Sequence, residues 1–475
     1  MRSAASPRPA RPARVLAAMS LGVLIAQVDT SVVNLAAKRI GADLGSSLSG
    51  MQWMLDAYNV VYAAFLLTAG ALGDLYGRRG VFVTGIVLFA LGSVACAVAP
   101  STPILLAGRA LSGLGAALEL PMSLVLLSLA FSDPAERRHA FGIWASCNGL
   151  AFILGPTLGG LLVDTLGWRS IFYLILPLCV AAIALARTDV EESSSPEGRH
   201  LDVPGQVSAI AALAGLSFFV IEGSHRGWSD AMVVIAGIAA AAGAVTFTIT
   251  ERGRTDGLVP FELFRRPTFS ASVSSAGLVN FGAYPLVFLV ALYFQAVRGD
   301  SPFVAALHLL PLPACFFVVS SRWNARIVHA IGARRAIAGG MAAIGAGTLL
   351  CAFGPVLPGK WIVEAGLAVA GVGLGIFTAP VNEMGVASVP RARSGTASGV
   401  LNTSRMVGAT LGIAILGSVF AHFAGQPGDG NFLGGFRLAL SLGASAQLAG
   451  AALVLHFVAP DHANAAHREA RRGAD

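Results

Sequence analysis

An arginine and a glutamate ten positions apart in an apolar stretch are the first residues of this chain whose chemistry asks for a reason. Arg109, Ser112, Ala116, Glu119 and Ser123 follow one another at spacings of 3, 4, 3 and 4, so a helix places them on one face. That face is polar or small, whereas Leu105, Leu114, Leu118 and Leu124 occupy the rest. Ten residues of helix rise about 15 Å, too far for Arg109 and Glu119 to pair along it. Pro121 removes a backbone donor just beyond Glu119, so a bend is expected there. Asp29, Asp56, Glu383 and Arg405 also fall inside apolar runs. Each such charge costs about 2.5–3.5 kcal/mol at the centre of a spanning helix, so each is a functional candidate by default. A striped apolar helix is expected to turn its charged face toward a water-filled cavity.

Gln52, Asp56 and Asn59 make a shorter stripe at spacings of 4 and 3. Gln27, Asp29, Thr30, Ser31 and Asn34 do not share a face, and Ser398, Asn402 and Arg405 do. Asp29 lies roughly 20 Å from the inner end of its span, and Arg109 also falls in an outer half, so the two can meet. A carboxylate there holds or releases a proton according to its burial and its charged neighbour. The proton-coupling candidates are therefore Asp29, Arg109, Glu119 and Asp56. The cavity candidates are Asn34, Asn59, Glu119, Glu222, Asn382, Glu383, Asn402 and Arg405. Glu222 and Glu364 lie near predicted outer ends, where solvation at the interface is the simpler reading.

The elements that position these residues follow from composition. Of 475 residues, 55% are hydrophobic and 12% charged, against about 25% charged in soluble domains. With a mean hydropathy of +0.72, this excludes a cytosolic enzyme, a nucleic-acid-binding module and a disordered scaffold. Apolar runs long enough to span a bilayer fall near 15–37, 51–72, 80–99, 103–130, 140–164, 170–186, 204–222, 231–250, 269–297, 302–321, 335–354, 361–382, 396–422 and 434–459. These predict an all-α polytopic membrane protein of 14 transmembrane helices. With the N-terminus inside, inner segments hold 23 of the 32 Lys and Arg, outer segments 7, and spans Arg109 and Arg405. That bias fits positive-inside topology with both termini cytoplasmic.

Polar stretches at 187–203 and 251–268 bracket helices 7 and 8. The expected organisation is a tail at 1–14, a six-helix bundle at 15–186, a linker at 187–203, two inserted helices at 204–250, a linker at 251–268, a second six-helix bundle at 269–459 and a tail at 460–475. GDLYGRR (73–79) and HAIGARR (329–335) sit at the same place in the two halves, with His329 where the first copy has Asp74. Transporters are commonly built from such repeats.

The motifs resemble the major facilitator superfamily, in its fourteen-helix drug:proton antiporter branch, across nearly the whole chain. GALGDLYGRRG (70–80) is similar to the family's signature between helices 2 and 3. Gly70, Gly73, Asp74, Gly77, Arg78 and Arg79 inherit from it a gating role on the cytoplasmic side. Gly70 and Gly73 would permit close helix packing, and Asp74 would pair with a helix N-terminus or an arginine. RALSGLGAA (109–117) resembles the helix 4 motif whose arginine is linked to proton transfer, with Ser112 where Gln is common. GLAFILGPTLGG (149–160) resembles the antiporter motif of helix 5 and adds Gly155, Pro156 and Gly159 to the gating set. VDTSVVNLA (28–36) resembles the helix 1 signature of the branch. Glu119 and Glu383 depart from the pattern and suggest an acidic cavity suited to cations.

The resemblance implies proton-coupled efflux of drug-like, amphipathic or cationic small molecules across a bacterial cytoplasmic membrane by alternating access. It implies a monomer in the lipid bilayer whose partners are substrate and protons. Substrate is expected near the midplane, between helices 1, 2, 4 and 5 and their counterparts after residue 269. An alternative is a dedicated exporter of one natural product, such as a self-resistance pump. A transport-dead sensor would predict a long signalling tail, which the end of the sequence is not expected to supply. No enzyme motif, cofactor, metal site or nucleic-acid partner is indicated. GPVLPGK (354–360) mimics a phosphate loop but runs into Trp361 where Ser or Thr is needed. The five cysteines lie far apart in apolar runs and read as small hydrophobes.

Overall fold

A computed structural model describes residues 12–131, 133–195, 201–252, 259, 261–359, 361–389, 393–424 and 431–458. The expected tails at 460–475 and 1–11, and Lys360 of the phosphate-loop mimic, lie outside the described residues. Regular structure among the described residues is entirely helical. The first helices are α1 (Pro12–Leu44), α2 (Leu48–Tyr76), α3 (Arg78–Ala97), α4 (Thr102–Ala130), α5 (Pro134–Leu166) and α6 (Ser170–Asp189). They are followed by α7 (Val203–Arg226), α8 (Ala231–Glu251) and α9 (Pro267–Ala296). The tenth span, Pro302–Ile331, is broken into α10 (Pro302–Leu309), α11 (Pro311–Val318) and α12 (Asn324–Ile331). Then come α13 (Ala333–Phe353), α14 (Ile362–Ala387), α15 (Ser394–Ala424) and α16 (Phe432–Phe457). Among the described residues, thirteen segments are long and apolar enough to cross a membrane, and α2, bent by 56° between Leu66 and Thr68, brings the number to 14.

Two compact units divide the chain, Met1–Gln206 and Val207–Asp475. Within each, one helix pair is sealed by reciprocal glycines. A Cβ on Gly92 would sit 2.6 Å from the Gly108 carbonyl, and one on Gly115 would sit 2.6 Å from the Gly85 carbonyl, so α3 and α4 touch backbone to backbone. In the second unit Gly340 faces Gly373 and Gly347 faces Gly366 in the same way, joining α13 to α14. The thiols repeat as well: Cys96 donates to the Leu105 carbonyl at 3.5 Å and Cys351 to that of Val363 at 3.4 Å. Small residues allow this approach where lipid supplies no hydrophobic drive between helices. In this register Arg109 corresponds to Leu367 and Glu119 to Phe377, so the charges of α4 have no counterpart in α14.

Helix ends run beyond the expected spans at several places, and three departures bear on the site. Arg14, assigned to a tail, is in the first turns of α1 and pairs with Asp189 at 3.5 Å. Arg78 and Arg79 open α3, because the turn before them is the single residue Gly77 at φ 103°, which an L side chain rarely adopts. The tenth span is interrupted at Leu310 and by a π-helical turn at Val319–Trp323. Just beyond it Asn324 donates to the carbonyls of Gly375 at 2.7 Å and Ile376 at 3.0 Å. Pro380 has no N–H to offer Ile376 one turn earlier in α14, so the asparagine supplies the missing donor.

Candidate functional site

Arg109 is the largest polar side chain enclosed in the first unit, at 1% exposure. α4 brings it against α2, where Gly113 lies on the Tyr58 backbone and leaves no room for a side chain. The guanidinium then makes three contacts. Its Nη1 donates to the Asp29 carboxylate of α1, its Nε donates to the Met54 carbonyl at 2.9 Å, and its face lies 4.7 Å from the Tyr58 ring centroid. Asp29 is 3% exposed. A charge-assisted bond sealed from water is strong, and losing either partner would leave the other stranded. The two residues expected to meet from separate helices are thus in contact. Tyr58 and the Met54 carbonyl are additions that sequence reasoning missed.

The rest of the α4 stripe is also enclosed. Ser112, Ala116, Glu119 and Ser123 are at most 1% exposed, so the stripe does not face open water as expected. Both carboxylate oxygens of Glu119 are without a hydrogen-bond partner. Enclosing a polar group without such a partner is costly, which marks Glu119 out from the rest of the stripe. Ser123 is held by Trp144, whose indole donates to its hydroxyl at 3.2 Å. Gln52 and Asp56 on α2 are fully buried and Asn59 nearly so. Asn34 is partly buried and donates to the Thr30 carbonyl at 2.8 Å.

The second unit gathers three of its candidates. Arg405 on α15 donates to Asn382 of α14 at 2.8 Å and to Asn402 at 3.3 Å. Glu383, the next residue on α14, is exposed. Glu222 is tied to Arg226 one turn on at 2.7 Å. Glu364 is a correction, because interfacial solvation does not describe it. It is 7% exposed, receives the His308 Nδ1 at 2.7 Å and lies 3.4 Å from Arg298.

The residues expected to gate lie around the Gly77 turn and along α5. Arg78 grips Asp74 through Nη2 at 2.8 Å and Nε at 3.2 Å, the arginine pairing foreseen for it. Gly73 packs under the thioether of Met122, whereas Gly70 has no neighbour within 4 Å of a built Cβ. Gly70 therefore does not make the close contact expected of it. Arg79 meets Glu192, a residue sequence reasoning passed over. On α5, a Cβ at Gly155 would fall 2.6 Å from that of Ser31, and one at Gly159 would overlap Val32, with Pro156 between them. These two glycines press α5 onto α1 within three residues of Asp29. Cys96, Cys179 and Cys351 are buried and all five cysteines are unpaired.

An all-helical, multi-pass membrane protein of two units sharing an internal repeat, with a buried ion pair in one of them, has the architecture of a secondary transporter. The chain belongs to the Major Facilitator Superfamily, whose family model matches residues 19–413. It is 36% identical over 406 residues to the multidrug resistance protein Stp of Mycobacterium tuberculosis, covering 86% of this chain and 75% of that one. It is 34% identical over 404 residues to the methylenomycin A resistance protein of Streptomyces coelicolor, with 85% of each chain covered. The crystal structure of the nucleoside transporter NupG superposes with a TM-score of 0.67 at 11% identity, over 94% of this chain and 100% of that one, and so shares its fold.

Proposed function

We propose that the protein exports drug-like, amphipathic or cationic small molecules across a bacterial cytoplasmic membrane in exchange for protons, by alternating access. The observation that carries this reading is the buried Asp29–Arg109 pair, with Glu119 enclosed further along the same face of α4, its carboxylate without a hydrogen-bond partner. A proton and Arg109 compete for the same Asp29 oxygen. Protonation of Asp29 removes the charge that holds the guanidinium and frees α1 from α4. Loss of the proton restores the bond and closes the two helices again. Glu119 accepts either a proton or the positive end of a substrate, so binding one displaces the other. Asp56, enclosed on α2, belongs to the same proton-handling set.

Asn34 and Asn59 supply polar contacts to substrate in the first unit, and Asn382, Asn402 and Arg405 supply them in the second. Glu222, held by Arg226, and the exposed Glu383 are left out of that set. The Gly77 turn with Asp74, Arg78 and Arg79, and the α5 glycines against α1, act as the moving parts. The Lys and Arg bias supports a cytoplasmic position for the turn and for both termini. The working form is a monomer.

The name of the methylenomycin relative favours a second reading, a dedicated exporter of one natural product. One experiment tests both. Cells lacking their own pumps and expressing this protein are loaded with a panel of fluorescent cations and neutral antibiotics, and efflux is followed with and without a protonophore. Protonophore-sensitive efflux of several unrelated compounds supports the first reading, and of a single compound the second. Efflux that persists after the proton gradient is collapsed contradicts the coupling.

A further inference from the structure

The start of α3 has no cap of its own. Gly77 is its N-cap residue and offers no side chain, so the first backbone N–H groups of the helix need acceptors from elsewhere. They find them in the segment Val190–Ser195, which continues from the end of α6. The Arg78 amide donates to the Ser193 carbonyl at 2.9 Å. The Arg79 amide donates to Glu192 Oε1 at 2.9 Å and the Gly80 amide to Glu192 Oε2 at 3.0 Å, so one carboxylate spans two donors. The Arg79 guanidinium closes the arrangement, with Nη1 donating to the Val190 carbonyl at 3.1 Å and Nε 3.6 Å from Glu192. The Ser195 amide donates to the Asp74 carbonyl at 2.9 Å on the far side of the turn. Gly77 leaves room for this, since a Cβ there would stand 2.7 Å from Glu192 Oε1.

We infer that Val190–Ser195 is a strap tying the end of α6 to the turn between α2 and α3, and that Glu192 is a positioning residue for transport. A negative carboxylate at a helix amino-terminus is favoured by the partial positive charge there as well as by the two amide bonds. The strap makes α6 and the first turn of α3 move as one piece. Arg78 and Arg79 open that turn and Asp74 lies across Gly77 at the end of α2, so Glu192 sets their geometry without touching substrate. The side chain of Glu192 is 40% exposed, so removing it deletes bonds rather than buried packing. The role in transport rests on the efflux reading, whereas the capping itself does not.

The test uses the full chain in detergent and in vesicles, with Glu192→Ala, Glu192→Gln and, as a control, the neighbouring exposed residue as Glu191→Gln. Hydrogen exchange is measured across 77–82, and initial export rates are measured against substrate concentration, per folded transporter. Loss of the cap is expected to speed exchange at the Arg79 and Gly80 amides about fivefold in Glu192→Ala. Glu192→Gln, which keeps one acceptor oxygen, is expected to fall between Ala and wild type, and Glu191→Gln to match wild type. Maximal rate is expected to drop severalfold in Glu192→Ala with the half-saturating concentration unchanged. Unchanged exchange at both amides overturns the strap. Faster exchange with an unchanged maximal rate overturns the positioning role. If wild type exports no compound tried, the efflux reading falls, and the exchange result still decides whether Glu192 holds the turn.

Discussion

Removing the Asp29 charge should cost more stability than removing Arg109, although the two form one pair. In Asp29→Asn the shape of the site is kept, but Arg109 loses its counter-charge and retains only neutral partners, the asparagine oxygen, the Met54 carbonyl at 2.9 Å and the Tyr58 face at 4.7 Å. A guanidinium does not lose its charge in a protein, and it is 1% exposed. Leaving one member of a buried pair uncompensated costs about 3–5 kcal/mol. In Arg109→Met the stranded partner is a carboxylate that can take up a proton, so the loss falls to that of an unsatisfied buried polar group, about 1–3 kcal/mol. The double variant strands neither charge, and its loss should fall short of the sum of the singles by roughly 1–3 kcal/mol. The assay is reversible unfolding of the purified protein in mixed micelles of dodecylmaltoside and sodium dodecyl sulfate, followed by tryptophan fluorescence. Additive losses, or an Asp29→Asn variant within about 0.5 kcal/mol of wild type, would refute the claim that this pair is sealed from water.

Other perturbations separate the parts of the account. Glu119→Gln removes a carboxylate that has no hydrogen-bond partner, so unfolding should show equal or greater stability while proton-linked efflux of cations falls at least tenfold. Gly77→Ala places a side chain at φ 103° and against Glu192, and should cost about 1–3 kcal/mol in the same unfolding assay while slowing export. Gly159→Leu drives a branched side chain into Val32 and should separate α5 from α1. Overpacking of this kind costs about 1–3 kcal/mol, and thiol cross-linking between cysteines placed on α1 and α5 should slow accordingly. Asn324→Ala leaves the Ile376 carbonyl without the donor that Pro380 withholds, and should lower stability by about 1–3 kcal/mol, read from the same titration.

Spans and stripes were legible because their signals are local. Fourteen apolar runs of bilayer length and a 3–4 spacing along α4 need no knowledge of neighbours. Asp29 and Arg109 could be matched because opposite charges in apolar surroundings have few alternatives. Tyr58 and the Met54 carbonyl were not legible, since an aromatic ring and a backbone acceptor carry no mark in the sequence. Glu192 was hidden in the polar run Glu191–Pro196, where one acid looks like the next. Its role depends on a helix that starts without a cap more than a hundred residues earlier. Glu364 reads as an interfacial acid in sequence, and its enclosure depends on His308 of α10 and on Arg298 just after α9. The π-helical turn at Val319–Trp323 likewise carries no mark in the residues that form it.

Whether Asp29 carries the coupled proton is read from proton movement in inverted membrane vesicles. Vesicles carrying wild type or Asp29→Asn at matched expression are acidified, and a pH-sensitive dye reports proton release when each compound of the panel is added. The account predicts that at least one compound releases protons through wild type and none does so through Asp29→Asn. Proton release by Asp29→Asn equal to that of wild type would contradict it.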